Sequence, residues 1–187
     1  MDVFKAIKTR RSVRRFISKM VPEKELVQVL ESARWAPSAG NVQDGIFIII
    51  RNSKQKEEIA KACMEQHWMS KAPILIAVCS SFKRLGILYG KEGLEKYTYM
   101  DCSAAIQNMM LAAHNLGLAT CWVGGMFDHE KINRILDIPS DEAKVISIIA
   151  LGYPAEKPPA PIRKDLREMV FFDEYFSKLK KKPKIYK

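Results

Sequence analysis

Three runs in this chain are apolar without alternation: GIFIIIR (45–51), APILIAVCS (72–80) and KVISIIALG (144–152). A strand with one face in water alternates apolar and polar residues, whereas a strand buried on both faces does not. Such strands require cover on both sides of a sheet. ATCWVGG (119–125) reads as a fourth strand ending in two glycines.

The intervening segments supply that cover. Val3, Phe4 and Ile7 give a short helix over 2–9. Pro22, with Glu23 and Glu25 at the positive end, opens a second helix whose stripe is Leu26, Val29, Leu30 and Ala33, stopped by Pro37. Asn52 or Ser53 caps a third helix to about Gln66, and Asp128 caps a short one to Leu136. The longest helix, 97–116, carries Ala104, Ala105, Met109, Ala112 and Ala113 almost all round, which predicts a central buried position, and Gly117 follows its end. Residues 81–96 are polar and glycine-punctuated and give no single assignment. The order predicts a three-layer α/β/α domain of the α+β or α/β type. Residues 154–176 are too proline-rich for core. They end in Met169, Val170, Phe171, Phe172, Tyr175 and Phe176, an apolar group that needs a surface, and a partner subunit is one candidate.

The formal charge of +10 is uneven: +6 over residues 1–19, +6 over 177–187 and −2 between them. A nucleic-acid binder spreads its charge over a folded face with stacking aromatics. The near-neutral body argues against that reading and treats 177–187 as a lysine-rich, disordered tail beyond a domain of 1–176. The longest uncharged apolar stretch, 72–78, is far short of the ~20 residues of a membrane helix. The opening MDVFKAIKTRRSVRRF has no signal-like apolar region, so a cytoplasmic protein is expected.

Cys63, Cys79, Cys102 and Cys121 form no CxxC pair and read as buried hydrophobes in a reducing compartment. His67, His114 and His129 show no metal-ligand spacing, so no metal is expected. GxSxG, GxxxxGK[ST] and GxGxxG are all missing. Chemistry, if any, is expected to come with a cofactor.

Three segments could hold one. TRRSVRRF crowds Arg10, Arg11, Ser12 and Arg14 at the end of a short helix, and guanidinium forks suit phosphate oxygens or an electron-rich ring edge. A solvated basic turn is the plain alternative. In PSAGNVQ, Pro37 and Gly40 fix a turn from which Ser38, Asn41 and Gln43 offer hydroxyl and amide hydrogen bonds. An ordinary helix-to-strand loop is its alternative. WVGG (122–125) ends a strand where a ligand can approach the backbone closely.

Taken together, RRSVRRF, ARWAPSAGNVQ, KAPILIAVC, DCSAAIQNMMLAAHNLGLATCWVGG and the late LGYPAEKPP…IRKDLREMV resemble the FMN-dependent nitroreductase family, in family order from residue 4 to about 176. The resemblance implies a mixed central sheet flanked by helices, and a homodimer with FMN in two interfacial clefts. Arg10, Ser12 and Arg14, with Arg11 nearby, would hold phosphate, ribityl and pyrimidine edge. Pro37, Ser38, Ala39 and Asn41 of the partner, with Gln43, would line the ring. Gly124 and Gly125 would place backbone donors near N5, and Arg163 would reach the phosphate. The C-terminal extension would wrap the partner. One departure stands out: the family commonly has Pro-Trp after PSAGN-x-Q, where this chain has Asp44-Gly45. Asp165 also stands where a proline is common.

The implied activity is hydride transfer from NADH or NADPH through FMN to a small acceptor such as a nitroaromatic or quinone, with no catalytic side chain. The alternatives are a specialised FMN protein (dehalogenation, flavin destruction or redox sensing) and, remotely, a nucleic-acid binder using its basic termini.

Overall fold

The computed structural model describes residues 1–125 and 127–175. The elements run α1 (Val3–Thr9), β1 (Phe16–Ile17), α2 (Glu23–Arg34), β2 (Gly45–Ile50), α3 (Ser53–Ala62), β3 (Ile74–Ser80), α4 (Phe82–Glu92), α5 (Thr98–Asn115), β4 (Ala119–Val123), α6 (His129–Ile135) and β5 (Lys144–Pro154). The expected lysine-rich tail, with Phe176, lies outside the described residues.

β5 organises the sheet. It pairs with β3 from Ile74 opposite Leu151 to Ser80 opposite Lys144, with β4 from Ala119 opposite Gly152 to Val123 opposite Ile148, and with β1 at Tyr153 and Pro154. β2 joins through β3, Gly45 opposite Ser80 and Ile50 opposite Leu75. These ladders are antiparallel. The mixed character expected of the sheet is confined among the described residues to one isolated parallel bridge, Ser12 to Thr120.

Alternate residues of each apolar run feed two cores. Leu75, Ala77 and Cys79 join Val145, Ile148 and Ala150 against Ile59, Ala60 and Cys63 of the α3 region and Ile132 of α6. Ile74, Ile76 and Val78 join Ile146, Ile149 and Leu151 against Leu26, Val29 and Ala33 of α2 and Cys102, Ile106, Met109 and Ala113 of α5. This is the three-layer α+β arrangement, and it explains why the runs of β3 and β5 do not alternate: their apolar side chains are buried on one face or the other. Burying one such side chain contributes about 1.5–3 kcal/mol. Ser80 and Ser147 are buried polar side chains of these runs: the Ser147 hydroxyl donates to the Val123 carbonyl at 2.8 Å and that of Ser80 to the Asp44 carboxylate. The first run, expected to be fully buried, is not: in β2 only Ile50 is buried, Phe47, Ile48 and Ile49 are half-buried and Ile46 is exposed, because β2 lies at the edge of the sheet beside β3.

The caps of α3 and α6 fall at residues the sequence marked for them, and Asp2, expected within the first helix, is a further cap. Asp2, Asn52 and Asp128 accept from the backbone N–H groups of Lys5, Gln55 and Lys131 at 2.9, 3.1 and 2.9 Å; Asn52 rather than Ser53 is thus the cap of α3. α5 closes in a Schellman turn, with Leu118 N–H on the Ala113 carbonyl and Gly117 N–H on that of His114.

Four boundaries differ from expectation. Pro22 sits one place before α2 rather than at its first position. α3 ends at Ala62, not near Gln66, because Met64 and Glu65 take left-handed φ of 56° and 57° and turn the chain so that Gln66 N–H reaches the Ala60 carbonyl. β4 stops at Val123, leaving both glycines outside the strand. Residues 81–96, unassigned from sequence, are helical from Phe82 onward except at Gly90. α4 kinks at Gly90 (φ 55°, ψ −139°), and a π-helical turn, Gly93–Tyr97, runs straight into α5, so no single period could appear.

The four thiols are free and buried. Burial pushes the Cys63 thiol up to about 11 and that of Cys79 up to about 12, which keeps them protonated at neutral pH. No helix among the described residues is long and apolar enough to cross a membrane.

β5 leaves no room at Gly152, where an added Cβ would meet Pro73 Cδ at 2.4 Å and Phe16 Cδ1 at 3.1 Å. Gly152→Ala is expected to cost about 1–3 kcal/mol by forcing β5 off Pro73. Urea unfolding checks this, and an unchanged midpoint would contradict it.

Candidate functional site

α1 ends at Thr9: Arg10 N–H still reaches the Ala6 carbonyl, but its ψ of 137° turns the chain out to meet β4. Val13 N–H donates to the Thr120 carbonyl at 3.0 Å, which fixes the arginine segment along that strand. Arg10 and Arg11 thereby line a cleft of about 420 Å³ with His114, Thr120, Glu156 and Lys157.

The cleft is short of anions. Arg11 Nη1 donates to the carbonyls of Lys8 and Arg10 at 2.9 and 2.8 Å. Arg10 Nη1 is sealed from solvent with no acceptor, and Thr120 Oγ1 is likewise unpartnered. Burial lowers the Arg10 pKa, and the nearby charges of Arg11 and Arg163 lower it further. Glu156 does not relieve this crowding, because its Oε1 accepts from the backbone N–H groups of Arg14 at 2.6 Å and Arg15 at 3.1 Å. His114 is no counter-ion either. Burial, then Arg10 and Arg11, lowers its pKa and keeps the ring neutral. Thr9 Oγ1 donates to the Lys5 carbonyl, so the 2.8 Å contact from His114 is assigned as Nε2–H donating to Thr9. A half-buried guanidinium with an orphan N–H and two cations beside it is a site for an anion such as a phosphate.

The rest of the first segment is placed differently. Ser12 sits on its bridge to Thr120, within hydrogen-bonding reach of the Cys121 thiol. The Arg14 side chain is exposed, 5.7 Å from the Trp68 ring centroid. Arg163 is exposed on the C-terminal extension, near enough for its charge to act on Arg10. Asp165, at the proline position of the resembling pattern, caps a short 3₁₀ turn by accepting from Arg167 N–H at 2.9 Å.

The second segment is a tight loop between α2 and β2. Gly40, Asn41 and Gln43 have φ of 52°, 54° and 53°, left-handed values that Gly and Asn adopt readily. A Cβ at Gly40 would also lie 2.2 Å from the Tyr89 hydroxyl of α4, but that is the free end of an exposed side chain, so it is the left-handed φ that favours glycine here. Ser38 Oγ accepts from Gln43 N–H at 3.0 Å, closing the loop on itself. Ala39 N–H donates to both carboxylate oxygens of Asp101 at 3.1 and 3.0 Å, tying the loop to the first turn of α5. Pro37, Ser38, Gln43, Asp44 and Asp101 line a mostly apolar cavity of about 410 Å³ beside α2.

The arginine cleft and the loop cavity share no lining residue, so the two sets stay apart within one chain. Gly124 and Gly125 lie exposed just past β4. Gly124 rests against Trp122, whose indole N–H is buried without an acceptor; a Cβ would stand 2.9 Å from it.

Sequence reasoning missed Glu156, Asp101, His114 and Tyr89. Nothing local marked Glu156 or Asp101, which act on backbone far away in sequence. Among the described residues no cluster of His, Cys, Asp and Glu could hold a metal.

Comparison with known proteins identifies the family and the fold. The family model for the nitroreductase family matches residues 7–68 and 64–153. A Methanothermobacter thermautotrophicus protein, provisionally named NADH dehydrogenase/NAD(P)H nitroreductase, is 38% identical over 161 residues, covering 84% of this chain and 80% of its own. A Bacillus subtilis FMN reductase (NADPH) is 26% identical over 166 residues, covering 82% of this chain and 66% of that protein. Among solved structures, a nitroreductase family protein of Clostridium difficile superposes with a TM-score of 0.80 at 30% identity, over 94% of this chain and 100% of that one. The NADPH:FMN oxidoreductase of Vibrio harveyi superposes at 0.84 with 20% identity, over 92% of this chain and 77% of that one, a likeness of fold. The chain belongs to the nitroreductase family. That places it among the NAD(P)H-dependent oxidoreductases.

Glu156→Gln keeps the shape but weakens two charge-assisted bonds. It is expected to cost about 1–3 kcal/mol and to speed amide exchange at Arg14 and Arg15. Exchange unchanged at both amides would remove Glu156 from this role.

Proposed function

We propose that this chain binds FMN in a cleft completed by a second copy of itself, and uses NADH or NADPH to reduce a small acceptor such as a nitroaromatic or quinone. The observation that carries the reading is Arg10 Nη1, buried without an acceptor where Arg11 and Arg163 add positive charge. The residues fit a flavin phosphate, and the names of the Bacillus and Vibrio proteins support FMN as the group.

In this reading Arg10, Arg11 and Arg163 take the phosphate, and Ser12 and Arg14 serve the ribityl chain and pyrimidine edge. Pro37, Ser38, Ala39, Asn41 and Gln43 come from the second copy, which accounts for two separate half-sites in one chain. Gly124 and Gly125 leave backbone N–H groups open to a ring. The α1 face, with Val3, Phe4 and Ile7 exposed, and the extension, with Ile162 at 99% exposure, supply apolar surface for that copy to cover. Bound FMN would supply the hydride-accepting ring. The chain's own contribution is orientation and positive charge at the ring's electron-rich edge, so no side chain is assigned as a nucleophile or general base. Buried Asp44 in place of the usual Pro-Trp favours a second reading, a specialised FMN protein. A panel of nitroaromatic, quinone and halogenated acceptors separates the two.

The test is a visible spectrum and FMN titration of the purified protein. Flavin bands that bleach on anaerobic NADH or NADPH are expected. Arg10→Gln should weaken FMN binding roughly ten- to a hundredfold, the loss of a charged hydrogen bond to phosphate. A wild-type protein that neither carries nor binds FMN would overturn the proposal.

A further inference from the structure

Asp44 is 3% exposed, at the junction of the loop, β3 and α5. Its Oδ2 accepts from the Ser80 hydroxyl at the end of β3. Its Oδ1 is sealed from solvent with no donor in reach. The group that faces it is another acid: the Asp101 carboxyl, which also holds Ala39 N–H, lies within hydrogen-bonding reach of Asp44.

Among the described residues no cation offsets this pairing: Lys144 of β5, opposite Ser80 in the ladder, holds its ammonium over the Tyr99 ring. On α2, Arg34 borders the same cavity but is paired with Glu31, which also accepts from the Trp35 indole. From β3 and α5 come the thiols of Cys79 and Cys102, both held protonated by burial. α4 presents the Tyr89 hydroxyl at Gly40. A charged Asp101 so close to the Asp44 carboxylate is costly, and a proton on Asp101 supplies the donor that Asp44 Oδ1 lacks.

We propose that Asp44 and Asp101 share one proton, and that this shared proton positions the 37–44 loop for ligand binding. Both are positioning residues, acting through the backbone of Ala39 and the loop, and neither is catalytic. The inference rests on the reading of that loop as part of the flavin cleft. The direction of the titration agrees: burial, followed by the Asp44 charge, raises the Asp101 pKa against the lowering effect of Ala39 N–H. The sign follows. At the acid end the proton is present and the loop is held. As pH climbs from about 4, the free-carboxyl value, through the raised value, a second buried charge appears and loop and α5 repel. Ligand affinity therefore falls with rising pH, by up to about tenfold per pH unit above the transition.

The experiment uses the full chain and two readouts. Carboxyl carbon and Ala39 amide shifts are followed by NMR against pH without flavin, and FMN dissociation constants are measured over the same range. One carboxyl titrating above the usual aspartate range, with the Ala39 amide tracking it and FMN affinity falling in step, is the expected result. Asp44→Asn donates an amide N–H to Asp101 and still accepts from Ser80, so it should abolish both transitions. Asp101→Asn, with the amide reversed, should do the same and guards against failure of the first variant to fold. Two carboxyls that titrate independently in the ordinary range would overturn the shared proton. A paired titration with pH-independent FMN affinity would overturn its positioning role while leaving the flavin reading intact. FMN failing to bind at any pH would overturn the flavin reading and, with it, the link to flavin; the NMR titration would still decide the shared proton.

Discussion

The structure depends on one strand being buried on both faces while pairing along both edges. β5 carries Val145, Ile148 and Ala150 to one core and Ile146, Ile149 and Leu151 to the other, and it hydrogen-bonds to β3, β4 and β1. Everything functional hangs from those pairings. β4 anchors the arginine segment through Thr120, β1 returns the chain to the end of β5, and Glu156, just beyond β5, clamps Arg14 and Arg15. The second core packs α5 against β3, and their ends hold the 37–44 loop through Asp101 and Ser80. A slip of β5 by one residue would exchange its two faces and dismantle both half-sites together.

Much of this was legible in the residues. Uninterrupted apolar runs gave the strands, and Asn52 and Asp128 marked helix starts because a short side-chain oxygen satisfies an end N–H. The segments RRSVR and PSAGN stood out as candidates because cations, a hydroxyl and amides crowd where the backbone must turn, but each had a plain alternative, and the family resemblance rather than local chemistry joined them into one site. What failed to show was of two kinds. One was helix continuity through 81–96, hidden by the Gly90 kink and the π turn that break any single period. The other was long-range polar partnership: Glu156 meets backbone 142 and 141 residues away, and Asp101 meets Ala39 across 62. Neither carries a local signature, since an isolated acid on a loop or helix reads as a solvated one.

The separation of the two half-sites gives the family assignment its physical content. An arginine cleft with an orphan N–H demands an anion, yet the loop that offers amides to a ring opens into a different cavity of the same chain. In the proposed reading, a ligand long enough to carry both a phosphate and a heterocycle is served when a second copy brings its loop to the first copy's arginines, and the exposed apolar face of α1 is surface for that copy to bury.

Subunit complementation tests this most directly. Arg10→Gln removes the proposed phosphate donor, and Gly40→Val disturbs the loop by forcing a β-branched residue into a left-handed φ of 52°. Each homodimer should bind FMN poorly. Unfolded together and refolded as an equal mixture, the two should recover strong binding in about a quarter of all clefts, because half the dimers are mixed and each mixed dimer has one intact cleft. No recovery, from subunits shown to exchange, would mean that each chain builds its cleft alone and would contradict the account.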